Sequence, residues 1–276
     1  MARRIARERG VDLANVSASG FGGRIRMNDV EAAAGSTPSP HAAPEEAEGR
    51  LVKLSPMRKV IAEKMMAGKR ETAQIYMTAS IDATNLLETR ERLAPVLEKS
   101  GGVRPTITDL VLKIGASAVS CHPILNTRWT PEGILWLDAI HMGMAMALEE
   151  GLIVPVIRDI GKKTLSGIAK ERTAIVEKGK NGKLTPDEMK GSTFTISSLG
   201  MFGIEEFSAI INHPESAILA VGAILDTPVA VGKEIAVRPV MKVTLTYDHR
   251  VIDGAKAAAF MKTLKEFLEN PSSVIA

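Results

Sequence analysis

The sequence of 276 residues predicts an α/β body, in which helices cover a β-sheet, preceded by a small all-helical head. One observation is that helical and strand periodicities alternate from residue 51 onward. Another is a run of small residues, prolines and acids within residues 35–50, which has no hydrophobic period and is typical of a linker. The predicted domains are therefore a head at residues 1–34, a flexible linker at 35–50 and a body at 51–276.

The head contains two short helical patterns separated by a loop that is rich in glycine. The first pattern, residues 3–9, places Ile5 among arginines, and the second covers residues 29–34. The three glycines of the loop SASGFGGRI permit backbone angles that are closed to other residues. About 34 residues is below the size at which a domain usually folds without additional stabilisation. The head is therefore either an unusually compact fold or a shortened one.

The body begins with a predicted helix at residues 55–65 and a predicted strand at residues 75–82. Ser55 is a favourable N-cap, and Pro56 suits the first helical position. The helix has its apolar residues on one face, namely Met57, Val60, Ile61 and Met65. Residues 75–82 alternate apolar and polar side chains with period two, which indicates a half-buried strand.

Further helices and strands follow at spacings that are typical of an α/β domain. Thr108 is a candidate cap for a helix with apolar residues between 110 and 118. Residues 185–188 read TPDE, a capping box with proline at the first helical position, and the last helix is predicted at about residues 255–269. The predicted strands cover residues 142–146, 152–157, 193–197, 218–221 and 241–247, and the first two flank a turn at 149–151.

Composition and charge argue against several classes of function. No stretch approaches the roughly 20 consecutive apolar residues of a membrane-spanning helix. The net charge of +3 and the 4% of aromatic residues argue against nucleic-acid binding. Cys121 is the only cysteine, so an intrachain disulfide is excluded and a reducing, cytoplasmic location is expected. Because no cysteines and histidines cluster with metal-ligand spacing, we expect no metal site.

His249 has the most informative surroundings of the five histidines. A purely structural role is an alternative for each of them, and His41 lies in the predicted linker. His249 follows a predicted strand, where its ring can project from a rigid edge, and Asp253 and Gly254 come just before the last helix. The spacing of His249 and Asp253 alone is weak evidence, because Asp253 is equally well explained as the N-cap of that helix.

Ser197 lies where another predicted strand gives way to a loop that contains glycine. The segment reads TISSLGMFG, which leaves hydroxyl groups at the end of a sheet. An ordinary strand end, with Ser197 or Ser198 capping the turn, explains this pattern without any catalytic role. A hydroxyl near a histidine can also be a nucleophile or an oxyanion donor, and spacing alone does not distinguish the two.

Four segments of the body together resemble the dihydrolipoyl acyltransferases of 2-oxo acid dehydrogenase complexes, of the pyruvate or acetoin type. The segments are residues 55–65 (SPMRKVIAEKM), 151–158 (GLIVPVIR), 193–203 (TFTISSLGMFG) and 248–255 (DHRVIDGA). The last contains the HxxxDG pattern that this family shares with chloramphenicol acetyltransferase. The resemblance implies a chloramphenicol acetyltransferase-like catalytic domain with a mixed sheet, with coenzyme A as a substrate.

The resemblance also implies roles for three side chains. His249 deprotonates the thiol of coenzyme A as it attacks an S-acyl dihydrolipoyl thioester, and Ser197 stabilises the oxyanion. Asp253 holds the local structure around His249 through an arginine that the sequence does not identify. In the family, adjacent subunits of a trimer form the two sides of the site, and trimers assemble into a larger core. The TISSLGMFG segment favours an acetyl group over a branched-chain or succinyl group.

The head resembles the peripheral-subunit-binding domain of the same enzymes. The matching segments are residues 3–13, 20–25 and 29–30. In that family, basic side chains that match Arg3, Arg4, Arg7 and Arg24 bind acidic surfaces of partner subunits, which are dihydrolipoyl dehydrogenase or a 2-oxo acid decarboxylase. No lipoyl lysine precedes the head in this sequence. We therefore expect another domain or chain to supply the lipoyl group.

Two other classes of function share some of these features. A non-catalytic scaffold that anchors a dehydrogenase keeps the head but can dispense with His249, which is present here. A stand-alone antibiotic acetyltransferase shares the HxxxDG pattern but has no use for a head and a linker. The sequence therefore favours the acyltransferase of a complex over both.

Overall fold

The computed structural model describes residues 1–35, 49–148 and 151–275. The chain divides into two compact units, Met1–Lys53 and Leu54–Ala276. Most of the predicted linker, with His41, lies outside the described residues, as does most of the predicted turn at 149–151. The exact domain boundaries therefore stay a prediction. Within the described residues, no helix has both the length and the apolar character needed to cross a membrane.

The head unit is helical, as predicted. It contains α1 (Ala2–Arg9), a 3₁₀ turn and α2 (Met27–Gly35). Helix α1 ends at Gly10, whose φ of 66° lies in the left-handed region that favours glycine. The head buries Ala6 and Val30, so it has a small apolar core of its own.

The body alternates helices with strands. Its longer helices are α3 (Pro56–Arg70), α4 (Thr84–Gly101), α5 (Ile107–Cys121), α6 (Leu165–Lys180) and α7 (Gly254–Glu269), and a single turn, α8 (Ser272–Ile275), follows them. Its strands are β1 (Gln74–Asp82), β2 (Thr127–Thr130), β3 (Gly133–Trp136), β4 (Met142–Leu148), β5 (Gly151–Ile153), β6 (Val156–Ile157), β7 (Phe194–Ser198), β8 (Ala217–Val231) and β9 (Glu234–Asp248).

The main sheet is mixed, which confirms the predicted fold class. Its strand order is β1-β9-β8-β7-β4-β5, and β6 also pairs with β4. The neighbours β4, β7 and β8 run parallel, whereas β1, β9 and β8 are antiparallel to one another in turn. The hairpin of β2 and β3 forms a separate small sheet.

One face of the main sheet packs against helices, and on the other face β9 carries polar side chains. Alternate residues of β9 that belong to the buried core are Met241, Val243, Leu245 and Tyr247. Thr244, Thr246 and Asp248 come between them and therefore point to the opposite face. The core also contains residues of α5 and α7, such as Leu110 and Phe260. This alternation leaves polar side chains on the face where β9 ends.

Several element boundaries differ from the predictions, each for a local reason. The prediction of Thr108 as a helix cap is wrong, because Thr106 and Asp109 form a reciprocal capping box that starts α5 two residues earlier. The predicted strand at 152–157 is divided into β5 and β6, with Pro155 between them, and proline has no N–H for a sheet. Helices α4 and α6 and the β2–β3 hairpin were not predicted.

Strands β8 and β9 are longer than predicted, with 15 residues each. Their pairing continues past the main sheet, from Ile224 opposite Met241 to Val231 opposite Glu234. This ribbon exposes Ile235 and Val237. Exposed apolar residues remove the contrast between buried and exposed positions on which strand prediction depends, so only the central parts of these strands were recognisable in the sequence.

Candidate active site

His249 lies directly after the last residue of β9. Its main-chain N–H donates a 2.9 Å hydrogen bond to the carbonyl oxygen of Ala73. Its ring centroid lies 5.9 Å from the ring centroid of Tyr247. The side chain is exposed, and its ring nitrogens have no hydrogen-bond partner among the described residues. A histidine with a fixed main chain and a free imidazole can accept a proton from a bound ligand.

The turn that carries His249 is held by the residues that follow it. The main-chain N–H groups of Val251 and Ile252 donate hydrogen bonds of 3.0 and 2.9 Å to the carbonyl oxygen of Asp248. Both side chains are buried, and α7 begins shortly afterwards at Gly254. Burial of two apolar side chains inside a closed turn keeps the end of β9 in one conformation.

Asp248 and Arg250 form an ion pair on either side of His249. The Arg250 Nη2 lies 2.6 Å from Oδ2 of Asp248, and Nε donates to both carboxylate oxygens at 3.0 and 3.1 Å. Burial opposes ionisation of the Asp248 carboxylate, but hydrogen bonds from Arg250 and the N–H of Ala73 outweigh it and hold the pKa of Asp248 below its ordinary value. The carboxylate therefore stays charged at neutral pH.

Asp253 lies at the N-cap position of α7, as predicted, but its side chain makes no capping hydrogen bond. Its carboxylate is exposed and lies 3.7 Å from Nζ of Lys256. The resemblance implied that Asp253 acts through an arginine, but the neighbouring Arg250 binds Asp248. Within the described residues, the carboxylate that binds Arg250 beside His249 is therefore that of Asp248.

Ser197 lies near the end of β7, on the sheet face opposite the helices. Its register partner in β8 is Ala220, whose partner in β9 is Thr244. Thr244 precedes His249 by five residues, which is about 17 Å of extended strand. The Ser197 hydroxyl is half-buried and has no hydrogen-bond partner among the described residues. The structure thus does not bring Ser197 and His249 together within one chain.

A buried carboxylate, Glu215, lies beside the strand of Ser197 and was missed by the sequence analysis. Its Oε1 accepts hydrogen bonds from Ser192, from Thr195 at 2.8 Å and from Asn212 at 2.7 Å. Its Oε2 is buried without a partner among the described residues. Burial raises the pKa of Glu215 to about 7, although these hydrogen bonds oppose the change. The only available sequence signal was an acid next to an apolar run.

The predicted partner-binding arginines occupy two places in the head. Arg3, Arg4 and Arg7 share helix α1 and are exposed, with Arg4 3.6 Å from Glu8. Arg24 lies on the glycine loop, where its carbonyl oxygen accepts a 2.9 Å hydrogen bond from the N–H of Gly20. The head therefore presents three arginines on one helix, and the fourth on a loop.

Two family models match the chain. Residues 46–276 match the 2-oxoacid dehydrogenases acyltransferase (catalytic domain), and residues 1–31 match the e3 binding domain. Together the two matches cover both the body and the head.

Curated relatives match nearly the whole chain. It is 40% identical over 276 residues to the dihydrolipoyllysine-residue acetyltransferase component of the acetoin cleaving system of Bacillus subtilis (strain 168), covering 100% of this chain and 69% of the relative. It is 34% identical over 272 residues to the corresponding component of the pyruvate dehydrogenase complex of Rickettsia prowazekii (strain Madrid E), covering 98% of this chain and 67% of the relative. The chain thus spans roughly two thirds of the length of these relatives.

Solved structures match the body. A probable dihydrolipoamide acetyltransferase from Listeria monocytogenes 4b F2365 is 35% identical with a TM-score of 0.77, covering 81% of this chain and 95% of that one. The dihydrolipoamide acetyltransferase of Azotobacter vinelandii is 34% identical with a TM-score of 0.80, covering 84% and 96%, and its catalytic mechanism was studied through a serine, a histidine and an asparagine. The cubic core of a pyruvate dehydrogenase multienzyme complex matches with the same identity, TM-score and coverage.

Proposed function

The chain belongs to the 2-oxoacid dehydrogenase acyltransferase family, and on this basis we propose that it transfers an acyl group between a dihydrolipoyl thiol and coenzyme A. The observation that carries the proposal is His249, whose free imidazole stands on a fixed main chain within the matched residues. We propose acetyl as the acyl group, because both curated relatives are named acetyltransferases.

The proposed chemistry needs one base and one hydrogen-bond donor. A free thiol has a pKa of about 8.5 and is mostly protonated at pH 7, whereas a free imidazole, at about 6.5, is mostly neutral. His249 takes the proton from the thiol of coenzyme A as the sulfur attacks the thioester carbonyl. The dihydrolipoyl sulfur then leaves and receives that proton. Because the nucleophile and the leaving group are both thiols, a direct transfer needs no acyl-enzyme.

Ser197 is proposed as the donor to the developing oxyanion. Its hydroxyl has no hydrogen-bond partner among the described residues, so its proton is available to the oxyanion. Ser197, His249 and position 253 have the same spacing as the serine, histidine and asparagine studied in the Azotobacter vinelandii enzyme. This chain has Asp253 where that enzyme has asparagine. We propose that Asp253 shapes the turn of the active site without contacting the reacting atoms.

A second copy of the chain is proposed to complete the site. The separation of about 17 Å along the strand between the register position of Ser197 and His249 rules out joint action within one chain. We propose that Ser197 of one subunit faces His249 of the next in a trimer, and that trimers form a larger core. The match to a cubic core supports this assembly. At the C-terminal end of the body, Val274 and Ile275 pack against the core of their own chain.

The head is proposed to bind dihydrolipoyl dehydrogenase, because residues 1–31 match the e3 binding domain. The arginines of α1 supply donors that pair with carboxylates of such a partner in a two-pronged geometry. A decarboxylase subunit is the alternative partner. The lipoyl group acts as a substrate. It is carried by a lipoyl domain, which belongs to another domain or chain and brings the group to His249.

An acyl-transfer assay with a panel of donors tests the proposed function. The purified protein is incubated with dihydrolipoamide and acetyl, isobutyryl or succinyl coenzyme A, and thioester formation is followed. We expect the highest kcat/KM with the acetyl donor. A preference for isobutyryl or succinyl would change the proposed substrate, and no transfer from any donor by an assembled protein would contradict the function.

A further inference from the structure

We propose that Arg250 is a positioning residue for His249, acting with Asp248 and Trp129, and we call these three residues the Arg250 clamp. The inference rests on the acyl-transfer function proposed above. It concerns how the general base is held, because the only ring contact of the His249 side chain among the described residues is with the Tyr247 ring, and no side chain there donates a hydrogen bond to it or accepts one from it. The direction of the imidazole therefore depends largely on the main chain that carries it.

The guanidinium of Arg250 joins the end of β9 to the end of α3. Its Nε and Nη2 hold the buried carboxylate of Asp248, which also accepts hydrogen bonds from the N–H groups of Ala73 and Arg250 at 3.2 and 3.1 Å. Nη2 additionally donates to the carbonyl oxygen of Glu71, the C-cap residue of α3. The segment from Glu71 to Ala73 is thus tied to the residues on both sides of His249.

Trp129 covers one face of the guanidinium. Its ring centroid lies 4.2 Å from Cζ of Arg250, within the range of a cation–π contact. The β2 strand that carries Trp129 is itself attached to β9 through Ser216. The Ser216 hydroxyl donates to the carbonyl oxygen of Thr127 at 2.8 Å, while the Ser216 carbonyl accepts from the N–H of Asp248 at 2.9 Å. The Trp129–Arg250 stacking contact and the Arg250–Asp248 ion pair are therefore held by strands that Ser216 links to each other.

The clamp acts on His249 from both sides of its main chain. The carboxylate of Asp248 fixes the preceding residue, and the 2.9 Å hydrogen bond from His249 N–H to Ala73 fixes His249 itself. Arg250 holds both ends of this arrangement with a planar fork. Lysine has the same charge but lacks the fork and the flat surface for stacking. Replacing Arg250 by lysine therefore removes positioning without removing the charge.

Arg250→Lys is the main test, in the intact assembled protein. We expect kcat with acetyl coenzyme A and dihydrolipoamide to fall about 10- to 100-fold, since a displacement of about 1 Å can cost about 100-fold. KM for each substrate should stay within about twofold, because the clamp is not proposed to touch either one. The acid limb of the pH profile of kcat/KM should not move, because the charge beside His249 is retained.

Two Trp129 variants and one surface control complete the test. Trp129→Phe keeps a ring against Arg250 and should retain most of kcat, whereas Trp129→Ala should lose about as much as Arg250→Lys. Arg104→Lys, in an exposed ion pair with Glu98, should leave all constants unchanged. If Arg250→Lys does not fold, it is replaced by a double variant that combines Asp248→Asn and Arg250→Gln, in which both side chains are neutral.

The outcomes separate this inference from the proposed function. A wild-type protein that is inactive with every donor would contradict the function itself. An active wild type with an assembled Arg250→Lys variant of unchanged kcat would overturn the clamp alone. An equal loss of kcat in Trp129→Phe and Trp129→Ala would overturn the stacking part, and a rise in KM without a change in kcat would show that Arg250 binds substrate instead.

Discussion

The buried carboxylate of Glu215 should make the stability of this protein depend on pH. Burial raises the pKa of Glu215 from 4.5 to about 7. Between these two values the folded chain keeps a proton that the unfolded chain has released, so the free energy of unfolding falls as pH rises through this window. The change from 4.5 to about 7 corresponds to about 3 kcal/mol at about 1.36 kcal/mol per pKa unit.

Glu215→Gln isolates this contribution, because an amide of nearly the same shape does not titrate. Both proteins are unfolded in urea at pH values from about 5 to 8, and their unfolding free energies are subtracted at each pH. The subtraction cancels groups with the opposite dependence, such as Asp248, whose pKa is lowered by its hydrogen bonds in spite of burial. We expect the variant to gain about 2.5 kcal/mol relative to the wild type across this range.

Glu234→Gln is the matched control, because Glu234 is an exposed glutamate on the β8–β9 ribbon. Its difference from the wild type should stay flat over the same pH range. A flat difference for Glu215→Gln as well would refute the reasoning. It would mean that water or the half-buried Arg128 stabilises the charged form of Glu215 enough to cancel the effect of burial.

Four further predictions concern catalysis, assembly and partner binding. His249→Ala should lower kcat by roughly 10²- to 10⁴-fold with the oligomer intact. The control His122→Gln, away from the site, should leave kcat unchanged. Near-normal turnover by an assembled His249→Ala variant would exclude the role of His249 as the base. Ser197→Ala should lower kcat by roughly 10²- to 10³-fold, and an effect below threefold would remove it as oxyanion donor. Light scattering should find trimers or multiples of trimers, and a stable, active monomer would contradict the two-subunit site. Calorimetry should show that a peptide of residues 1–49 binds dihydrolipoyl dehydrogenase. The affinity should fall as the salt concentration rises, and it should fall further in the Arg7→Ala variant. Tight binding that changes neither with salt nor with Arg7→Ala would contradict the charge-based account.

Sequence patterns predicted the parts of the fold that have a strong periodic or capping signal. Strand β1 and helix α7 were located to within a residue, because their burial pattern is regular and their ends carry clear signals. The start of α5 was misplaced, because two threonines compete as caps and only Thr106 forms the reciprocal bonds with Asp109. The ribbon ends of β8 and β9 were missed, because exposed apolar residues give no periodic contrast.

The sequence by itself determined the family and the fold class, because the motif segments stand in a fixed order along the chain. It also nominated Ser197, His249 and Asp253 as candidate site residues, whose roles stay a prediction. Only the tertiary structure showed that Asp248 rather than Asp253 binds the arginine, that Trp129 stacks on that arginine, and that Glu215 is buried. It also showed that Ser197 and His249 lie far apart within one chain. The physical reason is that the distance between β7 and β9 depends on strand register and sheet order, and that between the β2–β3 hairpin and β9 on tertiary packing, none of which local periodicity contains.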